Sequence, residues 1–277
     1  MIDGVRYAYV EAGTGPLLLF AHGTFGSKET FAPQVSRLSD RYRCVSIDLP
    51  GHGDSGYDPR GWGVGNLVRA VPALTTALGE EKASLAGVSQ GGAIFMRAAL
   101  VYPDVVSALV IMCAGAGAPP PLLLDRLRSF AKLLRDEPDE AARRQAAEHF
   151  LSAFHAPGFA VPGNESFDAE VTRALNHPRQ AMPLVAEVPG SYASVFDKLS
   201  QISCPTLVIW GDQDFRPALG GEIASQIPGA QLCVIRGAGH HVNVDGPEAT
   251  AEAIGDFLDR ESKHPKSTPW VGHPSRA

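Results

Sequence analysis

Apolar positions in the first third of the chain fall into short runs whose spacing changes from one run to the next. Val5 to Val10 alternates with polar neighbours and predicts a strand, whereas Pro16 to Ala21, "PLLLFA", is a continuous apolar run ending at His22-Gly23. Residues 44–49, inside "YRCVSIDLPGHGDSG", and the stretch "ASLAGVSQGG" likewise pass from apolar residues into glycine turns. Runs of this kind, closed by glycine and followed by helices, predict parallel strands buried on both faces. Between them Val64, Leu67, Val68, Val71, Leu74 and Leu78 recur at helical spacing, and Pro72 is expected to bend or shorten that helix.

This βα alternation stops after "VSALVIMCAGAG". Leu123, Leu127, Phe130 and Leu134, then Ala142, Ala146, Phe150 and Phe154, keep helical spacing among many prolines, with no strong strand, which predicts an inserted helical cap over 118–200. Strand signals resume with "PTLVIWGDQD" and "AQLCVIRGAGHH", each leading into a helix. The last helix opens at Asp245-Gly246-Pro247, with a capping residue and an early proline, and buries Ala251, Ile254, Phe257 and Leu258. The expected organisation is an α/β core from 1–117, the cap from 118–200, the rest of the core from 201–260, and a polar, proline-rich tail from 261–277. No internal repeat interrupts it.

Composition removes several classes of function. The 277 residues are 44% hydrophobic, enough for a substantial core. A formal charge of -6 without any basic block argues against nucleic acid or an anionic membrane as partner. Cys44, Cys113, Cys204 and Cys233 are widely spaced, lack zinc-ligand spacing, and read as reduced, small apolar core residues. The opening "MIDGVRYAYVEAG" holds neither a signal-peptide core nor a long apolar span, so a cytoplasmic protein is expected. A homodimer is left open.

Candidate chemistry begins at Gly87-Val88-Ser89-Gln90-Gly91, which fits G-x-S-x-G in the context that motif needs: strand before, helix after. So sharp a turn tolerates only small neighbours, projects the serine hydroxyl, and points the Gln90 backbone N–H toward a reacting carbonyl oxygen. A serine nucleophile needs a base and an acid, here in the order serine, acid, histidine. His240 sits in a glycine-rich loop after "LCVI"; with His241 it could instead belong to a metal site, but no cluster of further ligands is evident. The loop "CAGAGAPPP" has no carboxylate, and the loop after "LVIW" offers two, Asp212 and Asp214. One would hold the imidazole tautomer while the other caps the following turn. Gly51-His52-Gly53-Asp54-Ser55-Gly56 also fits a dinucleotide-binding string, but Tyr57-Asp58-Pro59-Arg60-Gly61 interrupts the helix that should open there.

Across nearly all of residues 5–260 the chain resembles the α/β-hydrolase fold superfamily, in the capped group of small esterases, lactonases, C–C bond hydrolases and cofactor-free haloperoxidases. The resemblance rests on "HGTFGS" at 22–27, "DLPGHGDS" at 48–55, "GVSQGG" at 87–92, "GDQD" at 211–214 and "GAGH" at 237–240. It implies a mostly parallel central sheet with helices on both faces and an inserted helical cap. It also implies Asp214 as the acid, His240 as the base, Thr24 beside Gln90 as oxyanion donors, and His22 as a residue shaping that loop. The implied function is a serine hydrolase that cleaves a small apolar carboxylic ester or lactone through an acyl-enzyme, without cofactor or metal. Phe25, Met182, Tyr192 and Phe196 are candidates to line the substrate pocket. Activity is expected to rise as His240 loses its proton, near a pKa of about 6.5. One alternative is a C–C bond hydrolase of a dienol keto acid, with Arg216 or Arg179 for the carboxylate; the tryptophan usual after its catalytic histidine is here His241. Another is a slow-turnover ligand receptor on the same fold.

Overall fold

The computed structural model describes residues 1–161 and 163–263. Its strands are β1 Tyr9–Ala12, β2 Leu17–Ala21, β3 Arg43–Ile47, β4 Ala83–Val88, β5 Val106–Met112, β6 Thr206–Gly211 and β7 Gln231–Ile235. They form one sheet in the order β1-β3-β2-β4-β5-β6-β7. Only β1 is antiparallel, pairing Tyr9 with Ile47; the remaining pairs are parallel. Every residue of β2 and β6 is buried, as a strand covered on both faces requires. The first strand starts later than its alternating pattern predicts. Asp3 and Gly4 turn the chain with positive φ, Ile2 and Val5 form only an isolated bridge, and pairing to the sheet begins at Tyr9.

The outer strand β7 alternates in burial, with Leu232 and Val234 exposed. This corrects the reading of the cysteines as core residues. Cys44 and Cys113 are buried, whereas Cys233 on that edge and Cys204 before β6 are half-buried.

The helices are α1 Ala32–Leu38, α2 Val64–Ala77, α3 Gln90–Val101, α4 Pro121–Asp136, α5 Glu140–Ser152, α6 Glu165–Leu175, α7 Met182–Glu187, α8 Leu219–Gln226, α9 Val242–Asp245 and α10 Pro247–Lys263. Pro72 lies inside α2 without ending it. Helix α1 packs on α10 and α2 on α3, burying their apolar stripes in the main core. Glu261 to Lys263 complete α10, so the expected tail begins later than predicted, and its remainder, 264–277, lies outside the described residues.

Helices α4 to α7, between β5 and β6, build a second apolar cluster. Asp139 and Asn164 start α5 and α6 by accepting hydrogen bonds from amides two and three residues on. The helical spacing of Leu127, Phe130 and Leu134 turns one stripe inward, where Phe130 stacks on Phe150 at 4.1 Å. Phe25, from the loop after β2, enters this cluster and meets Phe130 edge-on at 5.1 Å. A core loop is thereby anchored to the helical segment.

Candidate active site

Strand β4 delivers Ser89 at a bend that few L-residues adopt, with φ 51° and ψ -112°. Its N–H donates to the Met112 carbonyl, and its own carbonyl accepts from Ala93 as α3 begins. The glycine two residues on is required by close approach. A Cβ on Gly91 would lie 2.0 Å from the Ala21 carbonyl oxygen, so only hydrogen lets α3 start this close to β2.

The loop after β2 lies beside this bend, with Thr24 Oγ1 donating to Gln90 Oε1 at 2.8 Å. Neighbouring amides are engaged: Gly91 N–H donates to the His22 carbonyl, and Phe25 N–H to His52 Nε2 at 3.2 Å. Among the described residues, the Thr24 and Gln90 amides have no protein acceptor. Two N–H groups thus remain for a ligand oxygen where β2 and β4 end.

Three buried histidines set this loop. His22 accepts the Leu49 N–H on Nε2 and donates from Nδ1 to the Gly23 carbonyl, as expected of a residue that shapes the turn. His52 takes the Phe25 amide, and His177, from the helical segment, donates to the Phe25 carbonyl at 2.8 Å. Phe25 is held at φ 65° between them. Burial disfavours the imidazolium form and pulls His22 down to about 4, with His52 and His177 also lowered. Neutral rings suit this work because each must accept one proton and donate another. The glycine string at 51–56 folds over Asp48, whose carboxylate lies where a Cβ on Gly53 would be, and accepts the Lys28 and Asp54 amides. That string closes on the chain's own Asp48 carboxylate, which occupies the space an external phosphate would need.

Of the two candidate acids, Asp214 meets the imidazole: its Oδ2 accepts from His240 Nδ1 at 2.7 Å. Asp212 instead accepts the Gly237 N–H and ties the two loops together. Burial raises the Asp214 carboxyl, but the hydrogen bond and charge of His240 and the Arg216 N–H outweigh it, so Asp214 is held below its ordinary value. For His240 burial lowers the pKa, and Asp214 offsets only part of this. A neutral imidazole with its proton on Nδ1 leaves Nε2 as an acceptor.

A second histidine–carboxylate arrangement lies beside the first. His155, after α5, donates from Nδ1 to Asp245 Oδ1 at 2.5 Å, while Asp245 Oδ2 accepts the Ala156 and Gly239 amides. His155 Nε2 also lies 3.1 Å from Glu170 of α6, and His241 Nδ1 lies 2.6 Å from its other oxygen. Neither of these two contacts has hydrogen-bond geometry. A Cβ on Gly239 would lie 2.5 Å from the His155 carbonyl carbon, so the segments touch backbone to backbone. Asp245 was foreseen only as a helix cap, and no sequence signal joins His155 to Glu170 and His241.

Two triplets could supply ligands to a metal: Cys113, Asp214 and His240, and His155, Glu170 and His241, each set lying within 4.8 Å. Each contains an imidazole–carboxylate contact, at 2.7 and 2.6 Å, that is tighter than the roughly 3.4 Å between neighbouring ligands of tetrahedral zinc. Both arrangements fit direct imidazole–carboxylate contact better than a shared ion.

Thr24, Ser89, Gln90 and His240 border one cleft of about 660 Å³, counting its solvent-open mouth. Of the four residues expected to line a pocket, Tyr192 does so. Phe25 and Met182 are buried in the helical cluster, and Phe196 packs on the main core. The walls come instead from Leu123, Leu127, Phe150 and Phe154, on the helical stripes, with Phe215 and Arg216 from the loop after β6. Arg179 points its guanidinium at the Leu134 and Glu137 carbonyls, within the helical segment. Among the described residues no helix is long and apolar enough to cross a membrane.

Comparison with known proteins agrees with this fold. A 2-(acetamidomethylene)succinate hydrolase from Mesorhizobium japonicum is 26% identical over 254 residues, covering 90% of each chain. An esterase from Thermogutta terrifontis, described with malate bound, superposes with a TM-score of 0.84 at 26% identity, covering 92% of this chain and 94% of that one. The enol-lactonase of Burkholderia xenovorans shares the fold, with a TM-score of 0.83 at 22% identity over 93% and 98% of the two chains. The profile of the Alpha/beta hydrolase family matches residues 18–253. With its parallel sheet, serine bend and imidazole–carboxylate pair, the chain belongs to the alpha/beta hydrolase family.

Proposed function

We propose that the protein is a serine hydrolase of small carboxylic esters or lactones, with Ser89, His240 and Asp214 as its triad. The observation that carries this reading is that Ser89, His240 and the Thr24–Gln90 pair border one cleft, with Asp214 bonded to the far side of the imidazole. His240 Nε2 takes the Ser89 proton as Oγ attacks the carbonyl carbon, and Asp214 stabilises the imidazolium that forms. The Thr24 and Gln90 amides receive the oxyanion, each donor being worth about 3 kcal/mol in the transition state. Collapse of the tetrahedral intermediate passes the proton from His240 to the leaving alcohol. Water then repeats the sequence in reverse and frees the acid.

The names of the similar proteins, an esterase and a 2-(acetamidomethylene)succinate hydrolase, support a hydrolytic reaction. The dienol-acid alternative loses one of its two cations, because Arg179 is engaged away from the cleft. A fluorophosphonate probe with peptide mapping tests the reading. Label on Ser89, with steady turnover of 4-nitrophenyl butyrate that disappears in Ser89→Ala, is the expected result. Label on another residue overturns the triad, and labelling without sustained turnover indicates a receptor.

A further inference from the structure

The cleft beside Ser89 is apolar along most of its wall, which makes its polar exceptions informative. Two carry a buried polar atom with no hydrogen-bond partner. Tyr192 is 8% exposed, yet its hydroxyl is buried with no hydrogen bond. Arg216 is half-buried, and its Nε is fully enclosed and equally unpaired. Among the described residues, its guanidinium has no hydrogen-bond acceptor and no carboxylate within 4 Å. Its only side-chain contact of this kind is with the face of Phe215, at 5.2 Å.

Leaving a guanidinium Nε and a phenolic hydroxyl enclosed without partners is costly unless something occupies them. The nearest acid cannot do so: Asp214 spends one oxygen on His240 and the other on the backbone N–H of Arg216 itself. The guanidinium is also set in place. It rests over Gly115, where a Cβ would come within 3.3 Å of Nη1, and Trp210 Nε1 holds the Arg216 carbonyl at 3.1 Å. Gly115, Tyr192 and Arg216 all border the cleft that holds Ser89 and His240. The arrangement offers a fixed planar cation and a phenolic donor to an anion in an otherwise apolar pocket, a setting that favours a carboxylate over a neutral group.

We infer that Arg216, assisted by the Tyr192 hydroxyl, binds a carboxylate carried by the substrate, so that the preferred substrate is a half-ester or lactone of a small acid rather than a neutral ester. This rests on the serine-hydrolase reading for its reaction, but binding of the carboxylate is separable from turnover.

The test compares shape-matched esters. 4-Nitrophenyl hydrogen glutarate against 4-nitrophenyl valerate places the charge on the acyl side, and 4-carboxyphenyl butyrate against phenyl butyrate places it on the leaving group. In the parent protein one of the two pairs is expected to favour the acid in kcat/KM. In Arg216→Met that acid-to-neutral ratio falls by about 10- to 100-fold, the effect of losing hydrogen bonds to a charged group. Arg216→Lys recovers part of it, and Tyr192→Phe lowers the ratio less. Calorimetric titration of Ser89→Ala with glutarate and with 4-hydroxybenzoate, each repeated in the Ser89→Ala/Arg216→Met double variant, reads binding without chemistry. Neutral esters turned over with no preference for the acid in either pair overturn the subsite and leave the triad standing. If no ester is turned over, the ester-hydrolase reading fails, and acid binding that depends on Arg216 still decides the subsite. Equal loss on acid and neutral esters in Arg216→Met also overturns it.

Discussion

His240 and His155 each meet an aspartate through Nδ1, at 2.7 and 2.5 Å, and each is enclosed by protein, yet their protons are held differently. Around His240, burial is the largest effect; one carboxylate opposes it, while the nearby His241 and Arg216 reinforce it, and the pKa is lowered. Around His155, burial also acts downward, but Asp245 and Glu170 together raise the pKa to about 9. Glu170 is correspondingly held well below its usual range despite complete burial. One carboxylate leaves a neutral ring able to accept a proton; two keep the ring charged. The first arrangement suits a base, and the second suits a joint between the helical segment and the loop that carries His240.

The largest expected effect separates the two roles outright. His240→Ala should lower kcat/KM for an ester by about a millionfold, as loss of a triad base does, while costing about 1.5 to 3 kcal/mol of stability for the one hydrogen bond lost to the buried Asp214 carboxylate. His155→Ala should act chiefly on stability. It removes the imidazolium held between the buried Glu170 and Asp245 carboxylates, and breaking such a cluster costs about 3 to 5 kcal/mol of stability, read by equilibrium urea unfolding. Ser89 in the folded fraction should still react with a fluorophosphonate. A His155→Ala protein as stable as its parent would sink the joint.

This difference also marks how far the chain can be read unaided. The buried strands were legible because β2 to β6 are covered on both faces along most of their length and so appear as mainly apolar runs. The edge was less so: β1 is fixed by pairing with β3, which a local pattern does not contain. Ser89, Asp214 and His240 stand in short strings where glycine is forced by close approach, so steric need leaves a local trace. His155, Glu170, His241 and Asp245 come from four separate places, and no spacing rule connects them. The pocket was harder for another reason. Phe25 and Met182 are as apolar as Phe150 and Phe154, and only the tertiary arrangement decides which of them faces the cleft and which faces another helix.

Next in size is a dependence of stability on pH. His155 has a folded-state pKa of about 9 against an unfolded value near 6.5, so its charged form favours folding. That contribution is complete below about pH 6.5 and is lost as pH rises through about 9; at the size of the shift it amounts to about 3 kcal/mol. The difference in Tm between the parent and His155→Gln should therefore be widest in mildly acidic buffer and narrow steadily toward pH 9 and beyond. A difference that stays constant over this range would mean that packing of the ring on Phe159, rather than its charge, is what the substitution removes.

The smallest effects belong to His240 and sharpen the contrast from the other side. Because burial lowers its pKa, the ascending limb of kcat/KM should have its midpoint below the ordinary value of about 6.5, so the unperturbed expectation needs moving downward. Arg216 contributes to that lowering as a nearby positive charge. Arg216→Met, measured with a neutral ester, should shift the limb upward toward the ordinary value. His155→Gln should leave it in place, since the charges that act on His240 are those of Asp214, His241 and Arg216. If His155→Gln moves the limb as far as Arg216→Met does, the two histidine systems share one titration and the separation of base from joint is wrong.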